Sequence, residues 1–147
     1  MSGTFEIKVE PCKVEHIIEM REVNAKHSLG FTLNPDASKH IDNPWTYSGF
    51  VEDKLMLIGG IVPYWKDRGE AWAIFRPGFP QYFSALHDIA KSVLDSCPFR
   101  RIEATIQWDF VKGHEWVRAL GFELEAPRLK SYFPNGKDGS LYAMVKG

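Results

Sequence analysis

The residues with the clearest chemical potential lie between Glu70 and Tyr82, where a strand, a turn and a helix follow one another. An apolar run ends at Phe75, the turn reads Arg76-Pro77-Gly78-Phe79-Pro80, and a long helical pattern comes next. A helix that starts beyond a strand end directs its free N–H groups at whatever lies there, and such groups bind anions. The sequence therefore predicts a phosphate-binding turn.

Other arrangements of reactive side chains are missing from the sequence. No His, Cys, Asp or Glu cluster has the spacing of metal ligands, so no metal is expected. No Ser or Cys forms a catalytic arrangement with His and Asp. The one Gly-x-Ser-like element, Gly139-Ser140, lies in a hairpin loop and not at the strand-to-helix turn that presents a catalytic serine. Cys12 and Cys97 are expected to be free thiols in a reducing cytoplasm. His114 is expected at the surface, and His87 is expected to be structural.

Composition narrows the class of protein. A chain of 147 residues fits a single domain, 1–147, with a sizeable core. With 44% hydrophobic and 25% charged residues it is globular, and a net charge of −1 argues against binding nucleic acid or membrane through bulk charge. Neither a signal peptide nor an apolar run of roughly 20 residues is evident, so a cytoplasmic protein is expected.

Periodicity predicts the order β-α-(α)-β-β-β-α-β-α-β-β. Two runs that are apolar at both parities, Leu55–Val62 and Glu70–Phe75, predict a hairpin in the middle of a sheet, with Pro63 breaking its first strand. The other expected elements are a half-buried strand over 5–10, a helix from Pro11 to about Ala25, a strand over Thr46–Val51, a helix from Phe79 to Ser96, a strand over Arg101–Trp108, a short helix capped by Asp109 and ended by Gly121, strands over 122–125 and 129–133, and a strand over Leu141–Val145 after the Asn135-Gly136 turn.

The segment from His27 to Asn43 breaks this regularity. Only Asn34-Pro35-Asp36 suggests a short helical piece there, because a capping residue precedes a proline. The segment is expected to be a mobile loop over a site, or else a plain connection.

Four stretches, taken in order, resemble the GNAT superfamily of acyl-CoA N-acyltransferases, and the resemblance covers nearly the whole chain. They are Gly59-Gly60, Glu70–Ile74, Arg101 through Asp109 to the Leu-Gly-Phe ending at Phe122, and the closing hairpin Tyr132–Tyr142. The resemblance implies an α+β fold, a mixed β-sheet flanked by helices. It also implies acetyl transfer from acetyl-CoA to an amine of a small molecule or protein.

The same resemblance suggests where acetyl-CoA binds. The thioester would lie along the strand formed by Trp72, Ala73, Ile74 and Phe75, polarised by a backbone N–H. The pyrophosphate would contact Arg76, Gly78, Phe79, Gln81 and Tyr82. The family's phosphate turn reads Arg/Gln-x-x-Gly-x-Gly/Ala, whereas this turn keeps one glycine and has two prolines that lack an amide donor.

The resemblance also implies catalytic residues. Glu70 matches a general base toward the amine, although a carboxylate that starts a strand can simply be solvated. The family often has a tyrosine as general acid four residues before the Gly-Phe ending, and that position is Val117. Tyr132 and Tyr142 are candidate replacements, or else a cross-strand packing pair. Glu103, Thr105 and Gln107 share one face of a strand and could line a cleft, or could be covered by a helix.

A second hypothesis is a GNAT-like protein that has lost catalysis and acts as a binding, host-interaction or virion-assembly module. The proline-rich turn and the high tryptophan content are similar to divergent GNAT-like proteins encoded by tailed bacteriophages. The altered turn favours this hypothesis, whereas Glu70 and the intact central strands favour the enzyme. A protein partner belongs to the second hypothesis, and neither hypothesis involves nucleic acid or membrane.

Overall fold

The structure is a computed structural model that describes residues 5–24 and 44–147. The predicted loop from His27 to Asn43 lies outside the described residues. The elements are β1 (Ile7–Pro11), α1 (Val14–Asn24), β2 (Thr46–Val51), β3 (Lys54–Trp65), β4 (Arg68–Phe75), a 3₁₀ helix (Phe79–Tyr82), α2 (Phe83–Ser96), β5 (Arg101–Gln107), α3 (Val111–Ala119), β6 (Glu123–Leu129) and β7 (Gly139–Val145).

The described strands form a mixed seven-stranded sheet in the order β1-β2-β3-β4-β5-β7-β6. The strands β4 and β5 run parallel, and the pairs β1–β2, β2–β3, β5–β7 and β6–β7 run antiparallel. The third and fourth positions belong to β3 and β4, which confirms that the two runs predicted to be buried on both faces lie mid-sheet. The predicted α+β class is confirmed as well.

The chain forms two compact units. Unit 1 comprises Met1–Val62 and Trp72–Cys97, and unit 2 comprises Pro63–Ala71 and Pro98–Gly147. The single domain expected from chain length stays a prediction.

The core of unit 1 forms where α1 packs on the central strands. Ile17 and Met20 of α1 contact a buried cluster that contains Leu55, Ile58 and Ile74. β3 needs a glycine at position 60, because a Cβ there would lie 1.9 Å from the carbonyl oxygen of Trp45. Gly60 therefore allows the backbone before β2 to approach closely, and Gly59 does the same for β4, where a Cβ would lie 2.6 Å from the Trp72 carbonyl oxygen.

Two expectations for unit 1 were wrong. The apolar side of β1 was expected to be buried, but Val9 is 45% exposed because β1 is an edge strand. Phe83 was expected on the buried face of α2 and is 40% exposed, whereas Leu86, Ile89 and Leu94 are buried as predicted. Phe83 is the first α-helical residue after the 3₁₀ helix, so the 3.6-residue phase does not extend back through it.

Pro63 does not break β3, contrary to the prediction, because the strand continues to Trp65. The register between β2 and β3 ends at the pair Thr46–Gly60, and the N–H of Ile61 bonds to the Trp45 carbonyl at 3.1 Å. Pro63 is exposed and lies beyond the residues that pair with β2, so its missing N–H costs no bond in that ladder.

Unit 2 shows one confirmed helix end and two corrections. Gly121 has φ of 104°, and the N–H of Phe122 bonds to the Val117 carbonyl at 3.0 Å, which is the predicted left-handed end of α3. Asp109 is not the cap of α3, because the N-cap is Phe110 and has no side-chain cap. The strand predicted over 122–125 belongs to an edge strand, β6, that continues through Pro127 to Leu129 with register shifts on either side of Ala126, whereas residues 130–133, predicted as part of a second strand, lie outside any strand.

The packing of α2 can be tested by truncation. Leu86 is fully buried, so Leu86→Ala should lower the free energy of unfolding by about 2–5 kcal/mol. Lys91→Ala in the same helix removes only an exposed pair with Asp95 and should cost less than about 0.5 kcal/mol. Urea denaturation measures both values. Equal effects at the two positions would contradict the packing described.

Candidate functional site

The predicted site residues divide between the two units. The predicted catalytic residues Glu70, Tyr132 and Tyr142 all belong to unit 2, and the predicted acetyl-CoA contacts, residues 72–76, 78, 79, 81 and 82, all belong to unit 1.

Glu70 lies half-buried on β4 and accepts a hydrogen bond from the Tyr64 hydroxyl through Oε2. Burial raises the pKa of Tyr64 well above its usual value, with the bond to Glu70 as the next cause. The phenol therefore keeps its proton throughout the neutral range and remains a donor to Glu70. Tyr64 was not among the predicted site residues. It precedes Glu70 by six positions across the β3–β4 hairpin, so the two side chains can reach each other.

Next to Glu70, a buried carboxylate binds two arginines. The parallel register places Glu70 beside Glu103 and Arg68 beside Arg101. Glu103 accepts bonds from Arg68 through Nε and through Nη2, the latter at 2.9 Å, and from Arg101 Nε at 2.7 Å. Arg101 also makes a two-bond pair with Glu125, at 2.6 and 3.0 Å.

These bonds explain the protonation of Glu103. Its carboxylate is buried, yet the hydrogen bonds from Arg68 and then Arg101 hold the pKa of Glu103 below its ordinary value. Such a carboxylate is ionised and bound to two cations at neutral pH, so it is a poor proton acceptor. The hypothesis that Glu103 lines a cleft did not anticipate this arrangement, which depends on arginines from two strands.

Arg68 also binds the two aromatic residues that end β3. Its guanidinium carbon lies 4.7 Å from the ring centre of Tyr64 and 4.6 Å from that of Trp65, within the range of cation–π contacts. The same cation therefore connects Glu103 to Tyr64, and Tyr64 connects to Glu70.

The two tyrosines proposed as acids differ in their surroundings. Tyr142 is fully buried, and its hydroxyl lies 2.7 Å from His114 Nδ1. His114 Nε2 faces the carbonyl oxygens of Gln107 and Trp108 at 3.2 and 3.1 Å, so Nε2 carries the proton and Nδ1 accepts from Tyr142. The expectation that His114 lies at the surface was wrong, because this pair holds it against β7.

Tyr132 has a more accessible side chain. It is 47% exposed, packs edge-to-face on Phe133, and contributes to the raised pKa of Tyr64. Tyr132 thus acts electrostatically on Tyr64, the donor to Glu70, whereas the Tyr142 hydroxyl lies against His114.

In unit 1, the turn after β4 is held by its arginine. The Arg76 N–H bonds to the Met56 carbonyl at 2.8 Å, its Nε bonds to the Leu55 carbonyl at 2.6 Å, and its Nη2 pairs with Glu19. The predicted contact of Arg76 with phosphate stays a prediction. In the structure its guanidinium fastens the turn to β3 and α1.

The fit of this turn to a pyrophosphate can be judged from its backbone. Gly78 has φ of 93°, and a Cβ there would meet no atom of residues 5–24 and 44–147 within 4 Å, so these residues leave the position open to an approaching group. Phe79 and Phe83 donate their N–H groups to the carbonyls of Arg76 and Pro80, and Pro77 and Pro80 have none. The turn therefore fits a phosphate with fewer donors than a glycine-rich turn offers.

Three further features concern the cysteines, possible metal ligands and the character of the helices. Cys12 and Cys97 are free, as predicted; both are buried, and burial raises the pKa of the Cys12 thiol. Across residues 5–24 and 44–147, no group of three or more His, Cys, Asp or Glu side chains could hold a metal ion. Within the same residues, no helix has the length and apolar character to cross a membrane.

Comparison with known proteins supports the fold. The ribosomal-protein-S18-alanine N-acetyltransferase of Escherichia coli superposes with a TM-score of 0.77 at 11% identity, covering 97% of this chain and 96% of that one. Arabidopsis thaliana Naa50, in complex with the bisubstrate analogue CoA-Ac-MVNAL, gives 0.76 at 12% identity, with 95% and 98% covered. The ribosomal-protein-S5-alanine acetyltransferase of Vibrio fischeri gives 0.74 at 16%, with 99% and 97% covered.

The chain therefore has the fold of the GNAT-type N-acetyltransferases, as predicted. No protein-family model matches the sequence, and no curated protein does either. At these identities the likeness concerns the fold, and it leaves the reaction to be argued from the site.

The buried Glu103 makes stability depend on pH. Because its folded pKa lies below the ordinary 4.5, its contribution is complete above about pH 4.5 and is lost as the pH falls through the folded pKa. Glu103→Gln should lower the free energy of unfolding by about 1–3 kcal/mol at pH 7. The variant should also lose less of its free energy of unfolding than the wild type when the pH is lowered from 7 to 3.

Urea denaturation at the two pH values measures this effect. Glu115→Gln, at an exposed position of α3, is the matched control and should be near neutral at both. If Glu103→Gln were as stable as the wild type at pH 7, the bonds from Glu103 to Arg68 and Arg101 would not stabilise the fold.

Proposed function

We propose that this protein is an acyl-CoA-dependent N-acyltransferase that moves an acetyl group to an amine of a small molecule or protein. The observation that carries the proposal is the Tyr64–Glu70 pair, in which a half-buried carboxylate on β4 accepts a hydrogen bond from a phenol on β3. The fold supports it, because neighbours of the same fold are named as acetyltransferases of amines, from ribosomal-protein alanine to spermidine. We place the reaction in the cytoplasm.

Each step of the reaction has a candidate group. The amine nitrogen attacks the thioester carbonyl carbon, a C–N bond forms, and the C–S bond breaks. Glu70, fixed by the Tyr64 hydroxyl, takes the proton that the nitrogen loses. The leaving thiolate takes a proton from Tyr132 or from water. A thiol has a pKa near about 8.5, so its departure needs little help and the base contributes more than the acid.

Acetyl-CoA would be the acyl donor, held by the residues of unit 1. We assign the thioester to the backbone of Trp72–Phe75 and the pyrophosphate to the turn at Gly78, with Phe79, Gln81 and Tyr82 beside it. The open Gly78 supports this assignment. The two prolines predict weaker binding than a full set of glycines would give.

The alternative is a catalytically inactive binding or assembly module, encoded by a bacteriophage as the sequence resemblance suggests. The observation that favours it is the turn itself, where the Phe79 and Phe83 amides are bonded internally. Val117, at the position of the family's acid, is buried and offers no proton. Binding of acetyl-CoA separates the two hypotheses.

Isothermal titration calorimetry with acetyl-CoA tests the donor. We expect binding and a raised melting temperature, since a ligand that binds only the folded state stabilises it. Arg76→Ala should weaken binding by roughly 1.5–3 kcal/mol if its guanidinium reaches the phosphate. Lys91→Ala is the charge-matched control in the same unit and should bind normally. Absence of binding at millimolar acetyl-CoA would remove the enzyme hypothesis.

The base is tested by acetyl transfer to a panel of amines. Glu70→Gln keeps the volume and abolishes basicity, so the rate at pH 7 should fall by about 10²–10⁴-fold. The loss should shrink at higher pH, where more of the amine is already neutral. Tyr64→Phe and Tyr132→Phe should each cost less, and Glu115→Gln should cost nothing. Full activity of Glu70→Gln at pH 7 would make the base assignment wrong.

A further inference from the structure

On one side of the edge strand β1, the backbone groups of alternate residues pair with no strand among the described residues. The Glu6 carbonyl accepts the N–H of Glu52 at 2.9 Å, and the Cys12 N–H bonds to the Thr46 carbonyl at 3.1 Å. Residues two apart in a strand point their backbone groups to the same side, so the even-numbered residues 6–12 face β2. Phe5, Ile7 and Val9 therefore point their N–H and C=O groups outward, where no described strand pairs with them.

The side chains of this edge are apolar on one face and charged on the other. Phe5, Ile7 and Val9 share a face and are 40%, 41% and 45% exposed. The opposite face has an exposed acid, Glu6, and an exposed base, Lys8. Open edges of this kind pair readily with another strand, and most proteins block them.

We propose that β1 is a dimer interface, pairing antiparallel with β1 of a second copy of this chain about a two-fold axis at Ile7. In that register Ile7 lies opposite Ile7, and Phe5 lies opposite Val9. The three outward-facing residues of one copy exchange backbone hydrogen bonds with the same three of the other. Their apolar side chains then pack across the junction.

Charge complementarity identifies the occupant. With Ile7 on the axis, Glu6 of each copy lies opposite Lys8 of the other, so the edge is complementary in charge to a second copy of itself. A register centred two residues later would need a donor from Pro11, which has no N–H, and would use Glu10, whose carboxylate lies 3.7 Å from His16 Nε2. The Ile7-centred register avoids both penalties.

The small size of the contact sets its strength. Five residues from each copy bury less surface than a standard interface of about 1,600 Å², so the dimer should form and dissociate with concentration. Sedimentation velocity and light scattering over a concentration series should show the mass rising from 16.8 kDa toward twice that value.

Charge reversal tests the register. Lys8→Glu places acids opposite acids, and Glu6→Lys places bases opposite bases, so each variant alone should self-associate about tenfold more weakly or worse. An equimolar mixture of the two variants pairs acid with base at both positions and should recover association as a mixed dimer. Lys112→Glu, the same charge change on exposed α3, should dimerise like the wild type.

A backbone variant tests the strand pairing separately. Ile7→Pro removes an outward N–H and leaves the bonds from β1 to β2 in place, so it should be monomeric with a nearly unchanged melting temperature. A wild-type protein that stays monomeric at every concentration would overturn the proposal. So would a dimer that is indifferent to the single charge reversals, or a mixture of the two variants that fails to associate.

Discussion

The organisation of unit 2 depends on one buried carboxylate, Glu103, and the two guanidinium groups that neutralise it. A buried charge is costly unless it is paired and hydrogen-bonded, and here both oxygens are bonded. The bonds to Glu103 hold Arg68, whose guanidinium also lies against the rings of Tyr64 and Trp65. The position of the phenol that contacts Glu70 thus follows from an ion pair on the neighbouring strand.

This arrangement gives two neighbouring carboxylates different chemistry. Glu70 and Glu103 are paired in the β4–β5 register, yet Glu103 binds two cations whereas Glu70 accepts a hydrogen bond from a neutral phenol. Carboxylates in distinct environments can divide the roles of structural anion and proton acceptor. A carboxylate bound to two arginines is a poor proton acceptor, so of the two carboxylates Glu70 is the one assigned to proton transfer in the proposed reaction.

Features of the fold that depend on residues close together in the chain could be predicted from the sequence. β2 was predicted over its observed span, and the ends of α2 and α3 were found at Ser96 and Gly121, because local patterns and turn chemistry determine them. Expectations failed where distant partners decide. Asp109 bonds to Gln107 and Lys137 instead of capping α3, and Glu103 depends on Arg68, 35 positions earlier in the chain. The bond from Tyr64 to Glu70 was also not predicted, because it depends on how the hairpin brings the two side chains together.

In the proposed acetyl transfer, the two departures from the family pattern concern steps that tolerate loss. Fewer amides at the Gly78 turn would weaken contacts to a part of acetyl-CoA that does not react, and contacts equal in ground and transition states affect KM more than kcat. Replacement of the usual acid by Val117 affects a thiolate, which leaves without strong assistance. The base is harder to replace, because an amine is mostly protonated at neutral pH and cannot attack until the proton is gone. Deprotonation of the amine is thus the step of the proposed reaction that most needs a protein group, and at the position of the family's base this chain has Glu70, which accepts a hydrogen bond from Tyr64.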